Sequence, residues 1–383
     1  MSFEFDPAPW LLAARHAVAF RESIGERPQR PTTGYADMLA AFDEPTPESG
    51  APPEFVIEDL VSKAGPGLNA AVGPRFFGWV IGASHPVGVA ADWLTSAWGQ
   101  NCGNHHASPA AAAAEQIAAR WLLDLLDLPR ESSVGFVTGA TMASFVCLAA
   151  ARSEVLRRAG WDLEVDGMIG APPIRVVVGD EAHATIFFAL QMLGFGQGHI
   201  RRVATDDQGR MLPAAFVDAL AESEAPTIAI AQAGQINTGA FDPFAEIAAA
   251  TRGRNVWLHI DGAFGLWGRL SPAISHLLKG VEAADSWATD GHKWLQAPYD
   301  CGYAIVRNPA THRRTMTAAA SYLPTEGSGE RDPSHYVPEL SRRAAWPARE
   351  AAPAGSPHAM EAPVASGRSI EDLGDCMAAP GGG

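Results

Sequence analysis

The sequence predicts an α/β fold with a mostly parallel sheet flanked by helices. Three observations lead there. Six short apolar runs, at residues 133–138, 174–179, 227–231, 256–260, 286–289 and 302–306, have the length of strands. They are apolar almost continuously rather than in alternation, as strands buried on both faces are. Stretches with helical spacing, at 141–159, 182–193, 212–221 and 244–252, separate them, and such alternation builds parallel sheets. The 383 residues, 47% hydrophobic and 19% charged, are an ordinary globular composition, enough for one large domain with appendages. In such a sheet ligands gather at the carboxyl ends of the strands.

Before the first strand, residues 1–55 read as an amphipathic helix around 11–20 and then an arm punctuated by Pro28, Pro31, Pro45, Pro47, Pro52 and Pro53. From about Ser108 a longer helix places Ile117, Trp121, Leu122, Leu125 and Leu126 at spacings of three and four, ending near Pro129. After the last strand the pattern persists only to about residue 344. Residues 345–383 are rich in Ala, Pro and Gly without a sustained period, and read as a poorly ordered tail. No internal repeat is present.

Charge and special residues bound the function. A net charge of −15 repels nucleic acid and anionic membranes, so neither is expected as a partner. Four scattered cysteines without a C-x-x-C pair argue against a disulfide framework. With an acidic N-terminus and no apolar run of spanning length, they suggest the cytoplasm. Cys102, His105 and His106 cluster as metal ligands do, but adjacent histidines seldom point to one ion, and no metal site is assigned. Of the 28 basic residues only Lys63, Lys279 and Lys293 are lysines. Any chemistry that needs a lysine amine has three candidates.

Four strand ends carry candidate chemistry. In Thr138-Gly-Ala-Thr141 a strand stops at Gly139 and a helix opens, a geometry that suits a phosphate, although a plain turn capped by Thr141 has the same sequence. The spacing is neither G-x-G-x-x-G nor Walker A. In Asp180-Glu-Ala-His183 an imidazole could stack on a flat ring or merely sit in a helix's first turn. In His259-Ile-Asp261-Gly-Ala263 a strand delivers an aspartate followed by small residues, suited to a cationic ring nitrogen or to a turn cap. In Gly291-His292-Lys293-Trp294 a lysine in aromatic surroundings could become an amine nucleophile. Together and in this order they are the anchor, face, charge partner and amine that pyridoxal 5′-phosphate requires.

With Phe76-Phe77-Gly-Trp79 and Ala107-Ser108-Pro109, these motifs make residues 76–343 resemble the fold-type-I, group II pyridoxal-phosphate-dependent amino-acid decarboxylases, a family that includes aromatic-L-amino-acid, histidine and glutamate decarboxylases. The resemblance implies a large domain of the aspartate-aminotransferase type at 76–320, preceded by a dimerisation arm at 1–75 and followed by a catalytic loop at 321–344. It implies decarboxylation of an L-amino acid to the amine and CO2, with Lys293 forming the internal aldimine. Asp261 would pair with the ring nitrogen, His183 stack on the ring and Ala263 lie against its other face. Ala140 and Thr141 correspond to phosphate binders, and His292 and Asn237 fall in segments near the cofactor. Phe76, Phe77, Trp79, His106 and Tyr336 are candidates for the substrate pocket, the aromatic cluster hinting at an aromatic substrate. A homodimer is expected.

Two features depart from the family pattern. The loop tyrosine that usually donates the proton falls near Pro333 when the loop is aligned on Arg342-Arg343, leaving Tyr322, His335 and Tyr336 as candidates. The family continues into a small C-terminal domain where this sequence turns to its Ala/Pro/Gly-rich tail, as though the domain had been lost or replaced. An altered loop admits other carbanion reactions of the same fold, such as those of aminotransferases, aldolases or amine-oxidising aldehyde synthases. An altered end admits a cofactor-binding chain without activity.

Overall fold

The computed structural model describes residues 5–317 and 330–344. The expected tail at 345–383, and residues 321–329 of the loop with Tyr322, lie outside the described residues. The chain divides into two units, Met1–Ala83 and Ser84–Gly383.

The first unit contains helices α1 (Ala8–Glu22), α2 (Tyr35–Phe42) and α3 (Pro53–Ala64). Helix α2 lies inside the stretch that reads as a punctuated arm, and α3 begins at its end. Pro53 resembles a break in sequence but occupies the first turn of α3, where its missing N–H has no partner to lose. His16 on α1 meets Glu58 on α3 at 3.1 Å.

In the second unit, α4 (Pro86–Trp98) and α5 (Pro109–Leu125) precede β1 (Ser133–Val137), α6 (Ala140–Arg158), α7 (Leu163–Asp166) and β2 (Arg175–Gly179). Then come α8 (Ala184–Met192), β3 (Ile200–Val203), α9 (Pro213–Ala221), β4 (Thr227–Gln232) and α10 (Phe244–Thr251). The chain continues through β5 (Val256–Asp261), β6 (Ser286–Asp290), β7 (Gly302–Val306) and α11 (Pro309–Met316). The seven strands form one sheet in the order β1-β7-β6-β5-β4-β2-β3. It is parallel from β3 to β6, and β7 runs antiparallel to both its neighbours. All six expected strands are present. The seventh, β3, escapes sequence reading because exposed Arg201 and Arg202 break its apolar pattern, as befits an edge strand.

Each face of the sheet carries a core. Leu122, Phe216, Phe244 and Trp267 belong to one, and Leu148, Leu156, Ile186 and Trp257 to the other. Helix α6 is buried over most of its length, and Ala143, Ala150 and Ala151, none of them solvent-exposed, let it lie close to the strands. The core tryptophans satisfy their indoles internally: Trp257 Nε1–H donates to Ser286 Oγ at 2.8 Å and Trp287 Nε1–H to the Val281 carbonyl at 2.8 Å.

Glu154 fastens α6 to α11. Its carboxylate accepts hydrogen bonds from Arg157, Arg158, Arg314 and Thr311. Burial opposes its ionisation, but the bonds from Arg157, Arg314, Thr311 and Arg158 outweigh that and hold the group at about 2, against an ordinary 4.5. A lowered carboxyl stabilises the fold above its ordinary pKa and loses that contribution as pH falls towards the lowered value. Denaturant titrations should therefore show stability falling from about pH 4.5 towards about 2, with a shallower fall in Glu154→Gln, which starts from a lower plateau at neutral pH.

Candidate active site

The carboxyl ends of β1, β2, β4, β5 and β6 deliver the site. Register pairs Gln232 with Asp261 and Asp261 with Ala288, which levels the ends of β4, β5 and β6. The turn after β1 is Thr138-Gly139, and α6 begins at Ala140 without a side-chain cap. Its first-turn N–H groups, which have no intrahelical carbonyl to reach, open at the strand ends with the helix dipole behind them. A Cβ at Gly139 would be crowded, 3.2 Å from His292 Cε1 and 3.3 Å from Asp290 Oδ1. Behind it stands β7: a Cβ on Gly302 would come within 2.5 Å of Gly139 Cα.

These ends enclose a cavity of about 370 Å³ lined by Thr138 to Met142, His183, Asp261, Ala263, His292 and Lys293, with others. Seven of the eight residues assigned to the cofactor from sequence therefore meet in one place. Lys293 Nζ lies 3.1 Å from Asp290 Oδ2 and 5.7 Å from the centre of the Phe264 ring. The other two lysines are engaged or exposed elsewhere: Lys63 pairs with Glu44 and Asp59, both at 2.7 Å, and Lys279 is exposed. His183 is oriented from two sides. Its backbone N–H donates to Gln232 Oε1 at 3.0 Å, and Nδ1 lies 2.8 Å from Thr185 Oγ1 while accepting from the Thr185 N–H at 3.4 Å. Nδ1 is thus an acceptor, which leaves the ring proton of the neutral imidazole on Nε2.

Asp261 is 4% exposed and accepts from the Ala263 N–H at 3.2 Å. Burial pushes its carboxyl above the ordinary range, against the Ala263 hydrogen bond and the positive fields of His183 and Lys293. A cation set beside it would supply the partner that it lacks. His292 stacks on Tyr299, with ring centres 4.1 Å apart. Burial lowers its pKa, so it favours the neutral form, and its Nδ1 is buried without a hydrogen-bond partner.

Three other candidates lie outside this cavity. Asn237 is exposed on the loop after β4, its N–H held by Gln235 Oε1 at 2.5 Å, while Gly234 and Ile236 line the cavity instead. His106 is exposed and packs on His105, whose Nδ1 is held by Asp332 at 2.7 Å. Tyr336 stands edge-on to His312 at 5.3 Å, beneath the Arg331 guanidinium. Phe76, Phe77 and Trp79 belong to the first unit. Sequence reading passed over Gln232, Phe264 and Asp290. Only Asp290 left a signal, as an acidic residue at a strand end three positions before Lys293. A second, more apolar cavity of about 410 Å³ between α4, α5 and residues 339–344 shares Thr138, Tyr299 and Asp300 with the first.

The model of the pyridoxal-dependent decarboxylase conserved domain matches residues 36–346, most of the chain. The chain belongs to the pyridoxal-dependent decarboxylase family. An aromatic-L-amino-acid decarboxylase of Bacillus atrophaeus is 31% identical over 78% of this chain and 62% of its own length. A 4-hydroxyphenylacetaldehyde synthase of Rhodiola rosea is 26% identical over 85% of this chain and 67% of its own. The chain thus spans under two thirds of the Bacillus protein. A crystal structure of Oryza sativa TDC with PLP and tryptamine aligns with a TM-score of 0.82 at 24% identity, over 98% of this chain and 77% of that one, and shows the shared fold.

The cofactor of this decarboxylase-family chain is pyridoxal 5′-phosphate, and the residues fit it. The α6 N-terminus, opening after Gly139, suits a phosphate. Asp261, buried with its pKa raised, calls for a cationic ring nitrogen, and the unpartnered His292 Nδ1 marks a polar position awaiting a partner. A carboxyl whose folded pKa exceeds its ordinary value costs stability as pH rises past 3.8. Cofactor-free Asp261→Asn should accordingly melt higher than wild type at neutral pH, by a margin that narrows as pH falls towards 3.8. Its gain in melting temperature on adding pyridoxal 5′-phosphate should be smaller. Differential scanning fluorimetry with and without cofactor checks both.

Proposed function

We propose that this protein is a carboxy-lyase that removes CO2 from an L-amino acid, aromatic in its side chain, to leave the amine. The observation that carries the reading is the convergence of Lys293, Asp261, His183 and the α6 N-terminus on one cavity. Family membership supplies the reaction class, and the name of the Bacillus relative supports an aromatic substrate. Bound pyridoxal 5′-phosphate supplies a carbonyl that captures the substrate amine and a ring that withdraws the electrons left by the departing carboxylate. The chain's own groups make that chemistry possible. The N-terminus of α6, through Ala140 and Thr141, holds the phosphate. Lys293 provides the attaching amine, kept from bulk water by Phe264 and its own partial burial. Asp261 keeps a proton on the ring nitrogen by holding a negative charge in a buried place. His183, fixed by Gln232 and Thr185, offers its flat face from one side, and Ala263 offers a small surface from the other.

A homodimer located in the cytoplasm is part of the same reading. Trp93, Leu94 and Trp98 leave much of their surface exposed on α4, an apolar face suited to a second copy. Described cysteines Cys102, Cys147 and Cys301 are free, as in a reducing compartment.

The name of the Rhodiola relative favours one second reading, oxidative formation of an aldehyde at the same site. Purified protein supplied with pyridoxal 5′-phosphate and a panel of amino acids separates the two. Amine and CO2 from an aromatic substrate support the decarboxylase, aldehyde with ammonia and peroxide supports the synthase, and a keto acid overturns both. Lys293→Ala should abolish the visible absorbance of the loaded protein, and Asp261→Asn should lower turnover about 10²–10³-fold, the usual cost of removing one preorganised electrostatic group.

A further inference from the structure

Asp290 belongs to none of the roles assigned above, yet it touches both places where the cofactor must attach. It closes β6 and is 3% exposed. Oδ1 accepts the N–H of Ala140, the first residue of α6, at 2.6 Å. Oδ2 lies 3.1 Å from Lys293 Nζ, and Oδ1 lies 3.5 Å from His292 Nε2. One carboxylate therefore occupies an N–H of the phosphate cradle and pairs with the amine.

Both contacts oppose loading. An anion at a helix N-terminus satisfies the same dipole that would draw in a phosphate, and a second anion arriving there is repelled. The contact of Oδ2 with Lys293 Nζ occupies the amine that a carbonyl would have to reach. The other groups around Asp290 do not relieve this. Burial raises Cys301 to about 11 and Tyr303 well above 10, so both stay neutral. Neutral His292 adds no charge, and Asp261 and Asp300 are acidic.

We propose that Asp290 is an internal counter-anion. It holds the cradle and Lys293 together in the cofactor-free protein, and the incoming phosphate has to displace it from Ala140. Displacement breaks the Ala140 N–H to carboxylate bond, forms one to phosphate, and frees Lys293 from its pairing. These contacts hold α6 and the strand ends together without cofactor, at a cost in cofactor affinity. This inference rests on the reading of Lys293 as the attaching amine.

Asp290→Asn tests it. The amide keeps an oxygen for Ala140 N–H but carries no charge. The probe is pyridoxine 5′-phosphate, which has the ring and the phosphate but no aldehyde, so its affinity reports binding without the covalent bond to Lys293. The variant should bind it at least about tenfold more tightly than wild type, a difference of about 1.4 kcal/mol. Its cofactor-free form should melt lower. Acetic anhydride should label Lys293 several-fold faster in the variant, with Lys63 and Lys279 as internal standards read by mass spectrometry. A purely structural role would lower stability and weaken the probe together. Equal or weaker probe binding, or unchanged labelling of Lys293, overturns the proposal. Asp290→Ser, smaller and also uncharged, is the second variant should the first fail to fold. The underlying reading fails separately, if the visible band of the loaded protein survives in Lys293→Ala.

Discussion

The close approach of two backbones, at Gly139 and Gly302, is the constraint from which the site follows. A Cβ on Gly302 would lie 2.5 Å from Gly139 Cα, so a side chain there is excluded and the turn that opens α6 can sit against the start of β7. That seat brings the N-terminus of a buried helix to the ends of the parallel strands. The small residues of α6 maintain it along the sheet, and Glu154 ties the far end of the helix to α11. Moving α6 outward by a methyl group would shift the cradle relative to Lys293 and Asp261 together.

Two buried carboxylates give the site its electrostatic character, and they are poised differently. Asp261 has one backbone donor and an elevated pKa, a charge that the fold tolerates at a cost. Asp290 has a helix N–H and an ammonium within reach, so its charge is compensated from within the chain. The first is arranged for a cation the protein does not itself provide, and the second is satisfied until another anion takes its place. Lysine scarcity sharpens the arrangement, since Lys63 and Lys279 lie away from the strand ends and leave Lys293 as the amine in this cavity.

The parts of this protein legible in its sequence are those written in short spans. Continuous apolar runs mark six of the seven strands, because burial on both faces leaves no polar position to confuse the period. Thr138-Gly-Ala-Thr141, His183, Asp261, Ala263 and Lys293 each stand where a strand ends, and the cavity gathers them all. Less was legible where one residue has two uses. Pro53 starts a helix although it looks like a break, and two arginines hide the edge strand β3. Asn237 follows a strand as the others do, but the turn at Gly234, with φ of 91°, carries it past the cavity and leaves Ile236 facing inward.

The sequence by itself determined the fold class and the cofactor, because each depends on residue types at fixed places along the chain. Tertiary structure decided what those residues do to one another. Asp290 and Ala140 are 150 positions apart, and Gln232 and His183 are 49 apart. No local pattern encodes either pair, since strand order and register alone bring them together. The chain spans 62% of the Bacillus relative's length and 67% of the Rhodiola relative's. Its described residues nonetheless assemble the cofactor cavity, because every group lining it comes from residues 138–300.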